Sequence, residues 1–101
     1  MQLKIETQIN EATHTILLEG DLDANNVGGF RKTMAQTIEA EPKEIVVDFS
    51  KVEFLDSTGI GAVIQSYKTV NKQGNEFRLV GMRGQPLQTF KFLKLNHLIA
   101  A

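Results

Sequence analysis

The chain has no cysteine. Disulfides and thiolate metal sites are therefore excluded, and the composition fits a reducing cytoplasm, the expected location. Histidine is nearly as scarce: His14 and His97 lie near opposite ends of the chain, too few ligands for a metal site, so no metal is expected; no cofactor is expected either. Excess charge of one sign is missing too. Eleven basic residues against 12 acidic ones leave a formal net charge of −1, which implies no broad basic surface and no nucleic-acid partner. The longest aliphatic runs, Ile16-Leu17-Leu18 and Ile45-Val46-Val47, fall far short of the ~20 residues that cross a bilayer, so no membrane insertion is expected. Met1-Gln2-Leu3-Lys4-Ile5-Glu6 alternates apolar and polar residues instead of joining a basic end to an apolar block, which is not a signal-peptide pattern.

What remains is the composition of an ordinary globular domain, with 42% apolar and 23% charged residues in 101. One domain over residues 1–101 is expected. Leu3, Ile5, Thr7 and Ile9 share one face of a first strand, Asn10 to Thr13 offers a turn, and Thr15 to Glu19 supplies a second strand of an antiparallel hairpin. Gly20 to Asn26 reads as a polar connection in which Asp23, Asn25 or Asn26 could cap the next helix. Val27, Phe30, Met34 and Ile38 mark that helix's buried stripe, and Pro42 ends it. Glu44 to Phe49 is a nearly continuous apolar strand, expected to be buried on both faces at the centre of a sheet.

Ser50 to Asp56 then crosses to a polar corner, Asp56-Ser57-Thr58-Gly59, at which a helix begins near Thr58. Ile60, Val63, Ile64, Tyr67 and Val70 give it helical spacing up to about Lys72, and Gly74 stops it. Phe77, Leu79 and Val80 form a further strand. Gly81 to Gln85 is a loop, Pro86 suits the first residue of a third helix with Leu87, Phe90, Leu93 and the Lys94 stem inward, and Asn96 to Ala101 suffices for a short edge strand. This order predicts an α/β fold, with a mixed sheet of four to five strands and helices packed mainly on one side.

The corner concentrates the chemistry. Ser57 sits at a helix N-terminus, where backbone N–H groups and the positive end of the dipole favour a phosphate, and small Gly59 and Gly61 would let another chain approach. Asp, Ser and Thr are also the preferred N-caps, so plain capping is the competing reading. Phe54 and Leu55 read as core residues, whereas Ile60 is a candidate for exposure to a partner.

The run Phe54-Leu55-Asp56-Ser57-Thr58-Gly59-Ile60-Gly61, preceded by the strand at Glu44 to Phe49 and by Gly20-Asp21-Leu22-Asp23, resembles the STAS domain of bacterial anti-sigma factor antagonists, in order over nearly the whole chain. Members generally carry a further strand and a final helix, and here that C-terminal part is expected to be short or missing. The resemblance implies a STAS fold and a non-enzymatic, phosphorylatable switch. Unphosphorylated, such a protein binds a serine-kinase anti-sigma factor; phosphorylation of the serine matching Ser57 blocks binding, and a PP2C-type phosphatase restores it. Asp21, Asp23, Asp56, Thr58, Gly59, Ile60 and Gly61 are the implied partner-binding residues. A stand-alone STAS scaffold or ligand-binding subunit of a signalling assembly with a non-sigma output is the alternative.

Catalysis has little support. Asp21, Asp23, Asp48 and Asp56 could suggest acid–base work, but no base stands near Ser57 in sequence and no G-x-S-x-G elbow is present. Gly81-Met82-Arg83-Gly84 lacks the lysine and hydroxyl that end a nucleotide-binding loop.

Overall fold

The computed structural model describes residues 2–99. Strands β1 (Lys4–Asn10) and β2 (Thr13–Leu22) are followed by helix α1 (Val27–Glu39), strand β3 (Glu44–Leu55), helix α2 (Ser57–Lys72), strand β4 (Glu76–Val80) and helix α3 (Gly84–Phe92). A 3-10 turn covers Asn96–Leu98. The sheet order is β1-β2-β3-β4, antiparallel between β1 and β2 and parallel across the two following pairs. This is the mixed α/β sheet that the order of patterns predicts, with four strands.

The pleat explains the layering. Ile16, Leu18, Ile45, Val47, Phe77 and Leu79 alternate onto one face, where they join Val27, Phe30 and Met34 of α1, Val63 and Val70 of α2 and Phe90 of α3 in a single core. Among the described residues the other face is less covered. Val46, Asp48 and Ser50 on it are only half-buried, so β3 is central but not sealed on both sides as its apolar run suggests.

Strands β2 and β3 both run further than their apolar patterns. β2 continues through Gly20 and Leu22, and β3 continues through Ser50 to Leu55, because each pairs with the other: Gly20 opposes Val52 and Leu22 opposes Leu55. Two register shifts, at Leu17/Glu19 and Gly20/Asp21, re-phase the pairing and break the alternation that a sequence pattern needs. The first part of the expected polar connection, Gly20 to Leu22, is sheet, and only Asp23 to Asn26 is loop. Three smaller expectations also change. Helix α3 begins at Gly84, so Pro86 lies inside its first turn. Leu93, expected inward, follows the last helical residue and is 46% exposed, and Lys94 takes a left-handed φ of 58°. The expected final strand reduces to one parallel bridge from Ile99 to Leu79, and Ala100 and Ala101 lie outside the described residues.

Candidate functional site at the N-terminus of α2

Strands β2 and β3 deliver their C-terminal ends side by side, and the first turns of α1 and α2 leave from there. Asp56 is the N-cap of α2 in an extended conformation. Its Oδ1 accepts the Gly59 N–H at 2.9 Å and its Oδ2 accepts the Ala24 N–H at 3.0 Å. One carboxylate thus caps α2 and anchors the β2–α1 loop. Asp23 organises that loop in turn, its Oδ1 accepting the N–H groups of Asn25 and Asn26, both at 3.1 Å, while its carbonyl accepts the Val27 N–H at 2.8 Å. Of the three cap candidates before α1, Asp23 makes these side-chain bonds. Asn26 holds the N-cap position without a side-chain cap bond, and its Nδ2 donates to the Asp21 carbonyl at 3.2 Å.

Capping by Asp56 leaves Ser57 as the first residue inside α2, exposed. Thr58 is half-buried and Gly61 exposed. Two neighbours differ from expectation. Ile60, a candidate for outward display, is buried at 7% exposure and belongs to the core. Gly59 is buried as well, and its missing side chain makes room for the Leu22 carbonyl of this same chain rather than for another one. The serine and the ends of β2 and β3 therefore share a fixed surface, in which Asp21 opposes Phe54 across the strand pair.

Phe54 is the residue that sequence reasoning missed. Read as core, it is 44% exposed, because the second register shift turns it with Asp21 and leaves Leu55 to enter the core. The chain is held there by Gln85, whose Oε1 accepts the Leu55 N–H and whose Nε2 donates to the Leu55 carbonyl, each at 2.9 Å. No local sequence signal marks Gln85, since its partner lies thirty residues away. The end of the sheet from which α2 leaves thus carries Asp23 and Asp56 in the β2–α1 loop and the helix cap, and the paired residues Asp21 and exposed Phe54 at the ends of β2 and β3. A groove of about 480 Å³ between α1 and α2, lined by Met34, Ala35, Ile38, Ala62 and Ser66 among others, lies apart from this corner. His14 and His97 are not brought into a metal site: among the described residues no three His, Cys, Asp or Glu side chains are grouped to hold an ion. No described helix is long and apolar enough to cross a membrane.

The STAS domain model matches residues 4–100. The chain belongs to the STAS domain family. Within it, the chain is similar to the anti-sigma-B factor antagonist of Staphylococcus aureus (strain NCTC 8325 / PS 47), with 24% identity over 99 residues, 98% of this chain and 92% of the relative. Similarity to the anti-sigma F factor antagonist of Paenibacillus polymyxa is 31% over 77 residues, 75% of this chain and 66% of that protein. Among solved structures, SpoIIAA in its unphosphorylated form superposes with a TM-score of 0.83 at 21% identity, over 96% of this chain and 86% of that one. An anti-sigma factor antagonist from Mycobacterium paratuberculosis gives 0.82 at 17% identity, over 96% and 82%. At these identities the structures establish the shared STAS fold.

Proposed function

We propose that this STAS domain is an anti-sigma factor antagonist-like switch. Unphosphorylated, it binds a serine-kinase anti-sigma factor through the surface around Ser57; phosphorylation of Ser57 abolishes binding, and a PP2C-type phosphatase restores it. The protein is then a substrate and a binding partner, not an enzyme.

The observation that carries this reading is the division of labour at the helix start. Asp56 does the capping, so the adjacent Ser57 hydroxyl is exposed without a structural duty. A kinase can reach it. The relatives named as anti-sigma factor antagonists, and the existence of SpoIIAA in a phosphorylated form with the same fold, support the same reading.

The physics of such a switch is local. A phosphoserine adds about −1.5 to −2 charges. The dipole of α2 tolerates that charge in the free protein, but the flanking carboxylates of Asp56 and Asp23 do not, once a partner removes the intervening water. A loss of ~3 kcal/mol in binding is more than a hundredfold in affinity. Phosphopeptide mapping after treatment with the cognate kinase tests the assignment: phosphate on Ser57 is expected, and predominant phosphate on half-buried Thr58 would overturn it.

A further inference from the structure

The two edges of the sheet are unlike. At β4 the edge is met by Ile99 through its bridge to Leu79, whereas among the described residues nothing pairs with the far side of β1. An unpaired edge presents a row of N–H and C=O groups, which proteins commonly guard with proline, a bulge or an inward-pointing charge. Strand β1 contains no proline, pairs with β2 in unbroken register over Lys4–Asn10, and is exposed at every residue except half-buried Ile5. Ile9 at its end is 67% exposed.

The hairpin settles which backbone groups face outward. Asn10 and Thr13 directly flank the loop Glu11-Ala12, and such a closing pair exchanges its hydrogen bonds within the hairpin. Alternation along the strand then points the N–H and C=O groups of Ile9, Thr7 and Ile5 away from β2. The same three side chains lie on the helix-covered face, opposite His14, Ile16 and Leu18, while Lys4, Glu6, Gln8 and Asn10 lie on the less covered face. The segment Lys4-Ile5-Glu6-Thr7-Gln8-Ile9-Asn10 is also nearly symmetric about Thr7 in side-chain type.

We propose that β1 pairs antiparallel with β1 of a second copy of this chain, in a register centred on Thr7. Thr7 then opposes the partner's Thr7, and Ile5 opposes the partner's Ile9, so that exposed Ile9 gains an apolar cross-strand neighbour. On the less covered face Glu6 opposes the partner's Gln8, and Lys4 opposes the partner's Asn10. No like charges stand directly opposite. Every outward backbone group of one strand meets a complementary group of the other, and the sheet becomes continuous through the two copies. The contact is one strand wide, below the ~1,200 Å² of a standard stable interface, so the dimer is weak, with a dissociation constant on the order of 100 µM. The corner at Ser57 belongs to the ends of β2 and β3 and stays accessible, so this inference does not depend on the function proposed for that serine.

The absence of cysteine makes the test direct. Thr7→Cys places one thiol per chain on the two-fold axis, where directly opposed strand residues are about 5.5 Å apart between Cα atoms, within disulfide reach. Ile9→Cys puts its thiols well off the axis. Under mild oxidation at about 200 µM protein, Thr7→Cys is expected to cross-link at least about tenfold faster than Ile9→Cys. Thr7→Pro removes an N–H that faces solvent in the monomer, so it should melt near the parent yet lose the concentration-dependent association seen by sedimentation. Introducing Ser57→Asp into the Thr7→Cys chain should leave cross-linking unchanged. Equal cross-linking of the two cysteine variants, or a parent chain that sediments as a monomer up to about 1 mM, would overturn the proposal.

Discussion

The carbonyl oxygen of Leu22 stands where a Cβ on Gly59 would be, so the end of β2 and the first turn of α2 touch through backbone atoms. That contact sets the geometry of the whole corner. It brings the loop after β2 close enough for Asp56 to reach the Ala24 N–H, and it fixes the helix start that carries Ser57.

Gly59→Ala is accordingly expected to destabilise the fold by roughly 2–4 kcal/mol, since backbone rather than a flexible side chain must yield. Gly61 provides the control. Nothing lies within 4 Å of a Cβ built there, and replacing an exposed helical glycine by alanine should gain about 0.5–1 kcal/mol. Paired denaturant titrations of the two variants read both signs.

Asp56→Ala removes the cap on Gly59 and the anchor on Ala24 together. A loss of about 1–3 kcal/mol is expected, and a domain of this size melts roughly 4–8 °C lower for each kcal/mol. Asp56→Asn keeps an oxygen for only one of these two N–H groups and turns an amide NH2 toward the other, so it should recover only part of that loss, as thermal melts of both would reveal.

If Ser57 is the switch, stability and binding separate there. Ser57→Asp should lose the anti-sigma factor partner while Ser57→Ala retains it, and both should stay within about 1 kcal/mol of the parent, because the start of α2 accepts negative charge until a partner excludes water. Calorimetric titration alongside melts checks this, and equal binding by the two variants would remove electrostatic exclusion as the mechanism.

Phe54 is exposed beside the same corner, so Phe54→Ala is expected to change stability by less than about 1 kcal/mol. As the one exposed aromatic on the proposed docking surface, it should carry a large share of affinity, with a loss of about tenfold to a hundredfold for the partner. A variant that binds normally would place the docking surface elsewhere.

Much of this protein is determined by its sequence alone. The apolar stripe of Val27, Phe30 and Met34, the hairpin from β1 to β2, the apolar run of β3 and the capping chemistry of Asp56-Ser57-Thr58-Gly59 are local patterns, and each reports the face or the terminus of its own element. The positions that tertiary structure decided lie where elements end and meet. Leu22 and Leu55 extend the sheet beyond its apolar runs because they find each other, Phe54 is turned outward by a register shift, Ile60 is buried among the core side chains, and Gly59 serves a carbonyl from another strand. Periodicity records which side of an element is apolar, but whether an end residue is covered depends on a neighbour distant in sequence, and that neighbour is chosen only when the chain packs.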